Sequence, residues 1–259
     1  MTSPMLRVAC LQMSPEWLQP QSNMRRIEAL LEDSATVDLI VLPEMFTTGF
    51  DTSSDHSDEG GHQAKAWMQR LAASKKAVVC GSVKVSDNGK IMNRFIAMSA
   101  SQELVHYDKV HLFGQEQQAL TPGSARRIFT LRGLRILPQV CYDLRFPVLA
   151  RNQDDYDVII NVASWPKYRI HHWDTLLKAR AIENQSYVIG VNRVGEDGND
   201  WEYVGHSQVI SPMGEVIANA GDQPDKLIYA ELRLSDVADV RQKLPYLKDR
   251  DEFKITGID

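Results

Sequence analysis

Several short apolar runs in this chain show no polar alternation. Leu39-Ile40-Val41-Leu42 follows Asp38, and Val158-Ile159-Ile160 follows Asp157. A strand with one face in water alternates apolar and polar residues, whereas a run that is apolar throughout needs cover on both faces. The chain must therefore bury its sheet between layers. Strand-like runs recur over 6–13, 38–43, 77–85, 91–99, 103–107, 134–140, 157–165, 187–194, 207–211, 215–218 and 227–234. Helical periodicity appears over 23–34, 63–75, 173–185 and 235–244. Within 173–185, Trp173, Leu176, Leu177 and Ile182 are apolar while Lys178 and Glu183 are charged, which predicts an amphipathic helix packed on one side. Asp87-Asn88-Gly89 and Ser211-Pro212-Met213-Gly214 predict antiparallel hairpins. The pattern is a sheet-rich, layered α/β fold. With no Pro/Gly/Ser linker and no internal repeat, all 259 residues read as one domain, 1–259.

Composition narrows the function classes. At 43% hydrophobic and 24% charged residues, the chain reads as a soluble globular protein. A formal net charge of -5 without a basic tract argues against nucleic acid or an anionic membrane as partner. No apolar run is long enough to span a bilayer. The start, Met1 to Val8, lacks the basic-then-apolar pattern of a secretory signal. The three cysteines, Cys10, Cys80 and Cys141, are far apart with no CxxC pair, so a reducing cytoplasm is expected. Asn184-Gln185-Ser186 matches a glycosylation sequon, and chance is its expected explanation.

Three apolar runs end on a residue that can do chemistry. Glu44 follows Val41-Leu42-Pro43, Lys109 sits in Tyr107-Asp108-Lys109-Val110-His111, and Cys141 closes the run 134–140. Each has an ordinary reading when taken singly. A cysteine behind a strand is commonly a buried small hydrophobe, a glutamate can cap a loop, and a lysine beside Asp108 can be a surface ion pair. Taken together they offer a base, a cation and a nucleophile. A thiolate can attack an amide carbonyl, a base can take the thiol proton, and fixed donors can hold the oxyanion.

The segments Leu42-Pro43-Glu44-Met45-Phe46, Tyr107 to Phe113 and Cys141-Tyr142-Asp143-Leu144-Arg145-Phe146-Pro147 occur in the order seen in the nitrilase superfamily of carbon–nitrogen hydrolases, which the chain resembles. The similarity extends through 161–166, 178–185, 205–208 and 211–214. The resemblance implies a four-layer αββα sandwich with two mixed sheets, assembled as a homodimer or larger. It also implies Cys141 as nucleophile, Glu44 as general base, and Lys109 with the backbone N–H of Tyr142 as oxyanion donors. Glu116, ahead of Pro122-Gly123, matches a second glutamate that orients Lys109 and the substrate; its plain alternative is a solvated loop acid. No cofactor and no metal ion are expected. His171 and His172 are adjacent at a helix start and point apart, which suits helix entry and not chelation.

The expected partner is a small-molecule amide. Arg145, expected at the start of the following helix, is spaced to turn back toward the thiol and hold a substrate carboxylate in a bidentate fork, with an ion pair to Asp143 as the alternative. Trp165 offers an apolar wall or plain core packing, and Tyr168 and Arg169 are candidates for a second carboxylate contact. The polar stretch 51–61 reads as a pocket rim. Within the family, 141–148 and Trp165-Pro166 are most similar to bacterial omega-amidases, which hydrolyse the terminal amide of 2-oxo acids such as 2-oxoglutaramate and 2-oxosuccinamate. Another amidase or a carbamoylase for a different small or peptide-like amide is the second reading. A non-catalytic binding protein on this scaffold would have lost Glu, Lys or Cys, and all three are present.

Overall fold

The computed structural model describes residues 3–52 and 56–258. In chain order its elements are β1 (Met5–Gln12), α1 (Pro20–Leu30), β2 (Leu39–Val41), β3 (Asp58–Glu59), α2 (His62–Lys75), β4 (Val78–Asp87), β5 (Lys90–Met98) and β6 (Glu103–Asp108). Then come α3 (Glu116–Ala119), β7 (Phe129–Leu131), β8 (Leu134–Val140), α4 (Pro147–Ala150), β9 (Val158–Ala163), α5 (Ile170–Asn184) and β10 (Tyr187–Asn192). The last are β11 (Val194–Glu196), β12 (Glu202–Val204), β13 (Gln208–Ile210), β14 (Val216–Asn219), β15 (Lys226–Arg233) and α6 (Leu234–Lys243).

Two mixed sheets carry the fold. The first has seven strands, ordered β15-β1-β2-β4-β5-β6 with β3 against β4; the second has six, ordered β14-β13-β10-β9-β8-β7. Their centres are parallel, β1, β2 and β4 in one and β8, β9 and β10 in the other. The flanking strands are antiparallel, as the hairpin signals predict. At the β4–β5 turn Asn88 and Gly89 both take positive φ, 51° and 74°, the backbone that a two-residue hairpin of matching twist requires.

Side-chain alternation builds the layers. Val8, Cys10, Val41 and Cys80 point between the sheets, where they share one cluster with Ile136, Val158, Ile160 and Val188. Ala9, Leu11, Ile40 and Val79 point the other way and meet Ile27 of α1 and Trp67, Met68 and Leu71 of α2. On the far side, Trp173 and Leu177 of α5 press on Gly190 of β10. The unalternating runs are thus covered on both faces, and the order of layers is helix, sheet, sheet, helix.

Three expectations are revised. Helix α5 starts at Ile170 and not at Trp173, and Ile182 faces outward while Arg180 is buried. The reason is polar: Arg180 Nη2 donates to the carbonyl of Leu144 at 2.6 Å, a buried acceptor that must be paired. The stretch 51–61 is not a simple polar rim. Asp51 is buried beside Lys84 at 3.4 Å, and Asp58 accepts from the N–H groups of Gln63 and Ala64 at the start of α2. Residues 53–55 of that stretch lie outside the described residues. Arg145 sits in a tight 3-10 turn, Cys141–Arg145, ahead of α4 and not at its start. Asn184, Gln185 and Ser186 are all fully buried, so the sequon cannot carry a glycan in the folded chain.

The α5–β10 contact gives a stability test. A Cβ at Gly190 would lie 2.5 Å from Leu177 Cδ1 and 2.8 Å from Trp173 Cζ2. Gly190→Val is expected to lower the unfolding free energy by about 1–3 kcal/mol through overpacking. A denaturant titration checks this, and an unchanged midpoint would contradict the tight contact.

Candidate active site

Strand direction brings the three chemical residues to one edge. Strand β6 is antiparallel to β5, which is antiparallel to β4, so β6 runs with β2 and β4. Glu44 lies three residues beyond β2, Lys109 directly follows β6, and Cys141 directly follows β8. All three leave the carboxyl ends of strands, where α/β folds present their functional loops.

Their side chains meet in a dehydrated cluster. Glu44, Lys109 and Glu116 are each 0% exposed. Lys109 Nζ donates to Glu44 Oε1 at 2.9 Å and to Glu116 Oε2 at 2.7 Å. Asn93 Nδ2 donates to Glu44 Oε1 at 2.7 Å and to Glu116 Oε1 at 3.1 Å. The N–H of Ser164 donates to Glu44 Oε2 at 2.7 Å, and that of Phe113 to Glu116 Oε2 at 2.8 Å. Burial alone would lower the Lys109 pKa, but the charges of Glu116 and Glu44 outweigh it and push it above its ordinary value. Burial raises Glu116, with Lys109 opposing and Glu44 adding to the rise.

The thiol adjoins this cluster. Cys141 has φ of 45°, a left-handed backbone that few side chains adopt without strain. Its Sγ–H points to the Ser164 carbonyl at 3.8 Å. Burial raises the Cys141 pKa well above its ordinary value; Glu44 adds to the rise and Lys109 opposes it. The resting sulfur is therefore a thiol at neutral pH. Ser164 touches both groups through its main chain, its N–H on the Glu44 carboxylate and its C=O on the Cys141 thiol.

Asp143 holds the turn in place. Its Oδ2 accepts from the Val140 N–H at 3.0 Å and the Tyr107 hydroxyl at 2.8 Å. Its Oδ1 accepts from the His111 N–H at 3.0 Å and sits 2.9 Å from His111 Nδ1. Tyr107 and His111 bracket Lys109 in sequence. One buried carboxylate therefore ties the lysine-bearing segment to the cysteine-bearing turn.

A cavity of about 330 Å³ opens beside Cys141. Its walls include Tyr142, Arg145, Trp165, Arg169 and Trp201. The guanidinium of Arg145 lies 4.5 Å from the Trp165 ring centre, and its Nη2 is 3.2 Å from His172 Nδ1. Asp143 is occupied elsewhere, so the alternative Arg145–Asp143 pair does not form. Trp165 is buried, lines the cavity and also packs on Trp173 at 5.6 Å, so it is wall and core together. Among the described residues no group of three or more His, Cys, Asp or Glu is arranged to hold a metal ion.

Cys141, Tyr142, Arg145 and Trp165 thus line one cavity, while Glu44, Lys109 and Glu116 form a buried cluster bridged to Cys141 by the main chain of Ser164. Sequence reading missed Asn93 and Ser164. Asn93 had a signal, because an amide inside the strand run 91–99 must find a buried partner. Ser164 had none, because its contribution is made by the main chain. Asp143→Asn is expected to place an NH2 group against backbone donors and lower stability by about 1.5–3 kcal/mol. It should also slow alkylation of Cys141 by iodoacetamide. Equal stability and alkylation would contradict the tethering role. In the parent protein that alkylation is expected to keep accelerating as pH rises beyond 9, since a raised thiol pKa delays the thiolate. A plateau near pH 7 would contradict the thiol assignment.

Comparison with known proteins agrees with this geometry. The carbon-nitrogen hydrolase family profile matches residues 7–242. The chain is 43% identical to Omega-amidase YafV of Escherichia coli (strain K12) over 254 residues, covering 97% of this chain and 99% of that protein. It is 36% identical to 2-oxoglutaramate amidase of Bacillus subtilis (strain 168), covering 93% and 96%. A crystal structure of a CN-hydrolase superfamily protein from Xanthomonas campestris, with an arsenic adduct in its active site, superposes with a TM-score of 0.94 at 38% identity, covering 97% and 99%. With these matches and a buried Glu-Lys-Glu cluster beside a strand-end cysteine, the chain belongs to the carbon-nitrogen hydrolase family.

Proposed function

We propose that this protein is an omega-amidase, cleaving the terminal amide of 2-oxo dicarboxylic acid monoamides such as 2-oxoglutaramate and 2-oxosuccinamate. The observation that carries the reading is the cavity that holds a thiol and an arginine together, with the buried carboxylate cluster behind the thiol. The similarity to proteins named omega-amidase and 2-oxoglutaramate amidase supports the substrate class.

The chemistry follows from the residue types. Cys141 sulfur attacks the amide carbon as Glu44 takes the thiol proton, which suits a sulfur whose pKa is raised at rest. The carbonyl oxygen becomes an oxyanion, and the Lys109 ammonium and the Tyr142 N–H are its donors. Lys109 stays charged through the neutral and mildly alkaline range because both glutamates hold its proton. The C–N bond then breaks as Glu44 returns the proton to the leaving nitrogen, which departs as ammonia. A thioester remains on Cys141. Water adds to it while Glu44 takes the water proton, the C–S bond breaks as Glu44 returns that proton to the Cys141 sulfur, and the 2-oxo acid leaves. Glu116 keeps Lys109 in place, Arg145 holds the substrate carboxylate, and Trp165 walls the carbon chain.

The reading includes one domain of 259 residues, acting as a homodimer in the cytoplasm. A core shared between the two sheets supports the first point, and three free, buried cysteines fit a reducing compartment. No described helix is long and apolar enough to cross a membrane.

Ammonia release from 2-oxoglutaramate tests the proposal. Cys141→Ala is expected to reduce it by on the order of 10⁴-fold or more, with circular dichroism unchanged. Turnover retained by that variant would refute the thioester route. A parent protein that prefers a larger amide or a carbamoyl amine over the small 2-oxo acid amides would refute the substrate class.

A further inference from the structure

The cavity holds a second guanidinium that the mechanism above leaves unused. Arg169 lines it together with Cys141 and Arg145. Most arginines with charged neighbours in this fold are paired. Among the described residues Arg7, Arg94, Arg126 and Arg135 each face a carboxylate, while neither Arg145 nor Arg169 does. The side-chain partner of Arg145 is the neutral acceptor Nδ1 of His172. The Nε of Arg169 is buried without a hydrogen-bond partner.

Aromatic faces hold both groups instead. Arg145 stacks on Trp165 at 4.5 Å. Arg169 lies 4.6 Å from Phe113, 4.5 Å from Tyr168 and 5.8 Å from Trp201, measured to the ring centres. A guanidinium carries its five N–H donors in its own plane, so stacking fixes its position without consuming them. The two cations also repel. Burial and then the charge of Arg169 depress the pKa of Arg145. Two cations held close, with donors left over, are stabilised by an anion placed between them.

We propose that Arg169 and Arg145 form a two-arginine clamp that binds the anionic 2-oxo acid end of the substrate, with Arg169 as a specificity-determining residue. The inference rests on the omega-amidase reading and deepens it. Arg145 takes the carboxylate from the side of the cysteine turn, and Arg169 takes it from the segment after Trp165. The 2-oxo oxygen, next to the carboxylate, supplies a further acceptor for the donors that remain. The clamp fixes which end of the molecule faces outward, so the distal amide is the end delivered to Cys141.

Steady-state kinetics on 2-oxoglutaramate and on pentanamide, a neutral amide of the same chain length, test the clamp, with glutarate as competitive inhibitor. Arg169→Gln is expected to raise KM for 2-oxoglutaramate and Ki for glutarate by roughly 10- to 100-fold, the loss of one charge-assisted contact. The kcat/KM for pentanamide should fall far less than that for 2-oxoglutaramate, and Arg169→Lys should recover part of the loss. Unchanged KM and Ki in Arg169→Gln overturn the clamp. An equal fall on both amides also overturns it, since that is the signature of a structural arginine. A parent protein that turns over pentanamide as well as 2-oxoglutaramate overturns the omega-amidase reading itself, a result distinct from the other two.

Discussion

Everything at this site depends on three ionisable groups kept out of water. Glu44, Lys109 and Glu116 are wholly buried, and burying charge is unfavourable unless every group finds partners. The partners come from separate parts of the chain: Asn93 from β5, the Phe113 N–H from the loop before α3, and the Ser164 N–H from just beyond β9. Both sheets must be in register before the last of these bonds can close. The cluster is therefore a check on folding as well as a piece of chemistry. Truncating one member leaves the others as uncompensated buried charge, a penalty of about 3–5 kcal/mol.

The cavity has an electrical direction. Behind the Cys141 thiol, across the Ser164 peptide, lies the glutamate–lysine cluster, shielded from solvent, while the cavity wall carries Arg145 and Arg169. A neutral amide group can approach the buried carboxylates without repulsion, while a carboxylate is favoured only at the arginine wall. In the proposed reading, orientation comes from this charge placement. Trp165 serves both ends, since it backs the Arg145 guanidinium and also packs into the core against Trp173.

Much of this was legible in the amino-acid sequence, for identifiable reasons. The unalternating runs at 39–42 and 158–160 announced sheet covered on both faces, and Asn88-Gly89 announced a tight hairpin. Glu44, Lys109 and Cys141 could be found because strand ends are easy to see in sequence and because their motifs resemble one family. The short elements β7 and β12 were not read as strands, and β11 was not separated from the run 187–194. Asp51 was misread and Arg180 went unnoticed for a shared reason. Each is a charged residue in a polar-looking place, and each is buried by a partner distant in sequence, Lys84 in one case and the Leu144 carbonyl in the other. Asp143 looked like a competitor for Arg145, and its four donors are visible only in three dimensions.

Ser164 illustrates how a function can hide from comparison of side chains. Its main chain contacts both the Glu44 carboxylate and the Cys141 thiol, and its hydroxyl makes no hydrogen bond within the protein. The main-chain contacts ask only that the backbone beyond β9 keep its path, while the side chain of Ser164 answers to a separate demand, since it lines the cavity. One residue thus carries two constraints, one on the course of the chain and one on the shape of the pocket.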